Sequence, residues 1–308
     1  MSLDCRNSFA SEVLACAEMD ARVVVVISDS LSTVRLKSFA ERFPERLFNV
    51  GIAEQDLVGI GAGLANGGMV PFVCTASNFL SARALDQIKT DVAYSRSNVK
   101  LCGVTTGLGY GPLGATHHAL EDIAWIRPLA DLPLVAPCDP TETRLAVRAV
   151  ASTPGPVYLR IPRDPVREVH GHDYTFELGR ADLLRSGRDV TIIATGVMVQ
   201  RALDAAALLD GRDVQARVIN MSTIQPIDRN AIAAAARETR GIVTVEDHST
   251  RGGLGAAVAE VVVQTAPTRM RLLGIPEYAP VGSADFVFRH FGLDSDGIAR
   301  ATLELIAG

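Results

Sequence analysis

Short, β-branched and wholly apolar runs recur along this chain, separated by longer stretches of helical period. That alternation restricts the fold to parallel sheets covered by helices on both faces. The plainest run is Arg-Val-Val-Val-Val-Ile at 22–27. A strand apolar on both faces belongs inside such a sheet, because a half-solvated sheet would alternate polar and apolar residues. Similar runs lie at 70–74, 99–104, 132–136 and 157–161, with helix-spaced apolar positions over 8–19, 53–66, 79–94, 119–126 and 141–151. Composition changes between Pro162 and Gly179: Pro162-Arg163-Asp164-Pro165 and a polar stretch with His170 and His172 read as a linker. A second series follows, with strands at 190–194, 214–219, 242–246 and 270–273 and helices at 197–209, 228–239 and 253–264. The expected fold is α/β, two doubly wound domains spanning 1–168 and 180–308.

Bulk properties exclude several classes of function. The 308 residues are 48% hydrophobic and 21% charged, which describes a well-buried globular protein. A net charge of -5, the lack of a Lys/Arg run and only 5% aromatics argue against nucleic-acid binding. No stretch approaches the roughly 18 uninterrupted apolar residues of a membrane span. The N-terminus lacks the charged-then-apolar order of a signal peptide. Five cysteines are scattered, without a Cys-x-x-Cys pair, and read as reduced thiols in the cytoplasm.

Several motifs carry chemistry, each beside a plainer reading. Gly109-Tyr110-Gly111-Pro112-Leu113-Gly114 matches a dinucleotide fingerprint in letters only, because Pro112 and Leu113 sit where a helix should begin. A loop at the carboxyl end of the 99–104 strand, where open α/β sheets place ligands, is the better reading. Glu54 falls in the first turn of the 53–66 helix, where an acid complements the macrodipole. It also shares a face with Leu57, Val58 and Gly61, and an inward carboxylate needs a partner. Phe79 opens its helix, as core or as a ring-stacking contact. His117 and His118 end the glycine-rich loop without the further His or Cys of a metal site, so hydrogen bonding to a substrate suits them better. Val245-Glu246-Asp247-His248, followed by Gly252-Gly253-Leu254-Gly255, is either an anion site or tight packing.

In order and spacing, the segments Asn49–Gln55, Pro71-Phe72 with Thr75, Arg83–Ile88, the 107–121 loop, Pro137-x-Asp139, Val245–His248 and Gly252–Gly255 resemble the second half of transketolases. The resemblance implies a pyrimidine-binding domain for thiamine diphosphate followed by a transketolase C-terminal-type domain. Members of the family hold the diphosphate through Mg²⁺ with a Gly-Asp-Gly…Asn motif in a preceding domain. No Gly-Asp-Gly occurs here and Met1 begins just before the pyrimidine domain, so the chain resembles the second subunit of a split transketolase. The Mg²⁺ ligands are then expected on a partner subunit, with no metal ligands in this chain, the active site at the interface and two copies of each subunit in the assembly.

Carried over by position, Glu54 matches the glutamate that bonds N1′ of the aminopyrimidine and favours the tautomer that activates the cofactor. Phe79 matches the residue that stacks on the pyrimidine. His117 matches a histidine with catalytic and substrate-binding roles, and Arg6 a substrate-binding arginine. The substrate side is thinned: Ala136, Leu113 and Thr105 stand where an arginine, an aspartate and a histidine are expected, and Ala76 and Ala82 replace flanking aromatics. The expected activity is transfer of a two-carbon ketol or acyl unit from a ketose-like donor to an aldehyde, on an unusual donor or acceptor. A β subunit of an oxo-acid decarboxylating or dehydrogenase-type thiamine diphosphate enzyme, and a non-catalytic regulatory partner, are the alternatives.

Overall fold

The computed structural model describes residues 3–307. The first half runs α1 (Cys5–Met19), β1 (Val23–Ile27), α2 (Lys37–Arg42), β2 (Leu47–Asn49), α3 (Glu54–Asn66), β3 (Val70–Ala76), α4 (Ser77–Arg83) and α5 (Leu85–Gln87). It continues through β4 (Lys100–Val104), α6 (Asp122–Ile126), β5 (Leu134–Val135), α7 (Pro140–Ser152) and β6 (Val157–Ile161). The second half comprises β7 (Asp182–Arg185), β8 (Val190–Ala194), α8 (Met198–Asp210), β9 (Ala216–Asn220), β10 (Thr223–Gln225) and α9 (Arg229–Glu238). It closes with β11 (Ile242–Ser249), α10 (Leu254–Thr265), β12 (Met270–Ile275), α11 (Ala284–His290) and α12 (Ser295–Ala307). Two α/β sheets result, of seven strands in the order β10-β5-β6-β4-β3-β1-β2 and of five in the order β12-β11-β8-β9-β7.

The apolar runs fill cores on both sides of the first sheet. Val23, Val25 and Ile27 of β1 join Phe9 and Val13 of α1 and Val147 of α7, while Val26 faces Leu57 and Val58 of α3. Successive side chains on a strand point to opposite faces, so one uninterrupted apolar run supplies two cores. Gly61 sets how closely α3 lies on the sheet, since a Cβ there would overlap Val73. Among the described residues no helix is long and apolar enough to cross a membrane.

Three differences from the sequence expectation matter. Residues 79–94 are not one helix: α4 ends at Arg83, Ala84 leaves helical angles, and after α5 a π-helix spans Ile88–Tyr94. Leu80, Ala84, Ile88 and Val92 all lie in one core. A four-residue spacing drifts about 40° per step on an α-helix, so the break and the wider π turns keep all four residues inward. The helix expected from 119 begins only at Asp122. Both sheets also carry antiparallel edges, β7 on β9 and β10 on β5. Through β10, a segment of the second half completes the sheet of the first.

Candidate functional site

Glu54, Phe79 and His117 converge at the carboxyl ends of strands in the first sheet. Glu54 begins α3, reached from β2 through a turn in which Asn49 Oδ1 accepts from Asp29 N and Gly51 N at 2.9 and 3.1 Å. Gly51 takes a left-handed φ of 74°, a conformation costly for other residues. Glu54 is 4% exposed and has one side-chain partner among the described residues, Arg83, whose Nη1 donates to Oε2 at 3.0 Å. Arg83 stands four residues after Phe79 on α4, the spacing that stacks side chains on one helix face. Its guanidinium accordingly lies 4.0 Å from the Phe79 ring centroid. Glu54 and Arg83, with Ile52, Ala53, Gln55 and Asp56, line an open cleft of about 410 Å³.

The loop after β4 brings His117 to the other side of Phe79. The two rings meet edge to face at 5.3 Å, and Tyr110 contacts His117 similarly at 5.7 Å. Thr116 Oγ1 lies 2.9 Å from His117 Nδ1, and Asn78 Nδ2 of α4 holds the Thr116 carbonyl at 3.0 Å. His118 turns inward instead: its Nε2 bonds the Gly111 carbonyl at 3.1 Å, and burial holds its pKa below the usual histidine value. The paired histidines thus divide, one set beside Phe79 and Tyr110 and one bracing the loop.

A buried ionic network supports that loop. Arg160 of β6, 2% exposed, donates from Nε to Asp122 of α6 at 2.9 Å and from Nη1 to Asp247 of β11 at 2.6 Å. Burial pushes the Asp247 carboxyl up against the pull of Arg160. Gly107, at the base of the loop, has φ 56° and packs so close to Asp247 that a Cβ would overlap its Oδ2. Residues 245–248 therefore join the two sheets. Glu246 accepts from Leu254 N and Gly255 N at 2.7 and 2.8 Å, so the chain's own carboxyl group already occupies the start of α10, and burial pushes its pKa up to about 7. Burial pushes His248 down to about 4; the neutral ring donates from Nδ1 to the Ser249 carbonyl and accepts the Ala124 N–H at Nε2. The glycines here serve tight packing.

Arg6 stands outside these contacts. Its Nε and Nη2 donate to Asp4 at 3.0 and 2.7 Å and its Nη1 to the Thr33 carbonyl at 3.3 Å, which fastens the start of α1 to the segment after β1. A substrate role for Arg6 would require Asp4 to release it. Ala136 is buried, Leu113 is exposed, and Thr105 is buried with φ 62° and an unpartnered Oγ1. A β-branched residue in that conformation is strained, and such strain gathers at functional sites. Cys138, Asp139 and His170 lie close enough to suggest a metal site. Asp139 Oδ2, however, already accepts from Val169 N, His170 N and His170 Nδ1, and burial pushes the Cys138 thiol well above its usual range. These three residues fasten the linker.

Sequence reasoning missed Arg83 as a member of the site, although its i,i+4 spacing from Phe79 was a usable signal. Tyr110, Thr116 and Arg160 carried no signal of their own, because each gains its place through contacts distant in the fold.

Comparison with known proteins gives a consistent picture. The family described as "Transketolase, pyrimidine binding domain" matches residues 1–168, and "Transketolase, C-terminal domain" matches residues 179–298. One of the subunits of the apulose-4-phosphate transketolase of Phocaeicola vulgatus is 45% identical over 98% of this chain and 97% of that protein. The 6-deoxy-6-sulfo-D-fructose transketolase subunit SqwH of a Clostridium species is 36% identical over 97% of this chain and 94% of that protein. A solved structure described as a split gene transketolase, an inactive beta4 tetramer, superposes with a TM-score of 0.93 at 35% identity, covering 99% of both chains.

Proposed function

This chain belongs to the transketolase family, as the pyrimidine-binding and C-terminal subunit of a split enzyme, and we propose that it activates thiamine diphosphate for transfer of a two-carbon ketol unit from a ketose-like donor to an aldehyde. The observation that carries the reading is a buried carboxylate beside an aromatic face, with a planar N–H donor, Arg83, touching both. An aminopyrimidine fits that donor set, with its ring on Phe79 and a ring nitrogen at Glu54. The bound cofactor would supply the carbon nucleophile. Glu54 would hold and exchange the proton at the ring nitrogen, Phe79 would fix the plane of the ring, and His117 would hydrogen-bond the substrate. Diphosphate and Mg²⁺ fall to the partner subunit, in an assembly with two copies of each chain. Five free, buried cysteines are in keeping with a cytoplasmic enzyme.

Two relatives are named for ketoses bearing phosphate or sulfonate. On that likeness we assign the donor as a ketose with a terminal anion, which contacts other than an arginine at position 136 would have to hold. The test combines the chain with its partner subunit, thiamine diphosphate, Mg²⁺ and an aldehyde, and offers ketoses ending in phosphate, sulfonate or hydroxyl. Ketol transfer from an anionic donor is the expected result, with turnover lowered roughly 10²- to 10⁴-fold by Glu54→Gln. Release of CO₂ from a 2-oxo acid without cleavage of any ketose would overturn the assignment.

A further inference from the structure

We infer that Arg83 is the chain's own occupant of the pyrimidine slot: its guanidinium fills the two recognition positions of the ring, and the cofactor enters by displacing it. The inference rests on the pyrimidine reading given above and adds a competitor supplied by the same chain.

The chemistry matches on both contacts. A guanidinium is flat, delocalised, cationic and edged with N–H donors, and a protonated aminopyrimidine shares each of these properties. Arg83 sets one donor edge against Glu54 Oε2 at 3.0 Å and its face over Phe79 at 4.0 Å. Among the described residues its guanidinium makes no other hydrogen bond, and it is the only side chain that bonds Glu54. The site therefore works by exchange. A carboxylate as buried as Glu54 is costly to leave unpaired, so one flat donor must replace another.

The exchange is also mechanically feasible. Arg83 is the last residue of α4, Ala84 has already left helical angles, and the Arg83 side chain is 49% exposed while that of Glu54 is 4% exposed. Rotation about the side-chain bonds of Arg83 alone would open the slot and release the guanidinium to solvent at the cleft mouth. Until then the chain keeps Glu54 paired and the Phe79 face covered, which disfavours cofactor uptake before the partner supplies its own contacts.

Isothermal titration of the two-subunit complex with thiamine diphosphate and Mg²⁺ tests this, comparing wild type with Arg83→Ala, Arg83→Lys and Glu54→Gln. Removing a half-exposed ion pair and its cation–π contact should tighten binding by roughly 3- to 30-fold in Arg83→Ala. Arg83→Lys, which keeps the charge but loses the flat face, should fall between it and wild type. Glu54→Gln should weaken binding. Weakening by Glu54→Gln together with unchanged or weaker binding by Arg83→Ala overturns the occupant role and leaves the pyrimidine site standing. Binding indifferent to both substitutions overturns the pyrimidine site and the inference with it.

Discussion

Arg160 Nη1 and Asp247 Oδ1 lie 2.6 Å apart, both side chains about 1% exposed, on strands of two different sheets. Because Arg160 Nε also holds Asp122 at 2.9 Å, one guanidinium ties together β6, α6 and β11. Arg160→Met would leave two buried carboxylates without their cation. Breaking a buried pair in this way costs roughly 3–5 kcal/mol, so the melting temperature should fall by many degrees. A drop of only one or two degrees would mean that the sheets are oriented by apolar packing alone.

Gly107 joins this network to the site. Gly107→Ala forces a side chain into left-handed backbone, costing about 1 kcal/mol, and drives its Cβ against Asp247. Gly51→Ala is the matched control, because φ there is 74° but nothing lies within 4 Å of the added Cβ. Denaturant unfolding should show about 1 kcal/mol lost at Gly51 and roughly 2–4 kcal/mol at Gly107. Equal losses would indicate that Asp247 yields to the methyl group.

The two α/β halves were legible because a parallel sheet buried on both faces demands runs such as 22–27, and no polar alternation competes with that reading. The edge strands β7 and β10 were not, since three or four residues carry no measurable period. The burial of Glu54 followed from its helical phase relative to Leu57, Val58 and Gly61. The spacing of Arg83 from Phe79 could have placed its side chain beside that ring, but its pairing with Glu54 is a contact between α3 and α4 that no local pattern encodes. Arg6 shows the converse limit. Its position in the resemblance suggested substrate, while three of its N–H donors bond Asp4 and Thr33, a pairing that the sequence does not announce.

Thr116 should tune His117. With Oγ1 2.9 Å from Nδ1, the hydroxyl fixes the ring plane and leaves Nε2 for a substrate. Thr116→Val removes one ordinary hydrogen bond, so kcat/KM should fall about 3- to 10-fold. His117→Ala removes the substrate contact as well and should cost about 10- to 100-fold. If Thr116→Val matches His117→Ala, the hydroxyl itself touches substrate; if it changes nothing, the ring is held by Phe79 and Tyr110 alone.

His170 should give the fold a distinctive alkaline slope. Its Nδ1 lies 3.1 Å from Asp139 Oδ2 and its Nε2 3.3 Å from Asp182 Oδ2, with Tyr174 stacked on the ring at 3.8 Å and Glu142 and Cys138 nearby. Burial pulls its pKa down, but the hydrogen bond to Asp139, the Asp182 carboxylate beside Nε2 and the charge of Glu142 outweigh it and raise the value to about 10. A folded-state pKa above the ordinary 6.5 means that the folded chain binds a proton the unfolded chain has lost. The resulting stability is fully present below pH 6.5 and is lost as pH rises through about 10. Burial pushes the Cys138 thiol and the Tyr174 hydroxyl upward, out of this window. Lys100, drawn down to about 8 by burial, contributes the opposite slope, so the difference between wild type and His170→Gln isolates the histidine. That difference should be roughly 3 kcal/mol at neutral pH and should shrink steadily in denaturant unfolding as pH rises from neutral, levelling off above about pH 10. A difference that stays constant to pH 11 would mean that His170 is neutral in the folded chain and that the linker is held by its uncharged hydrogen bonds.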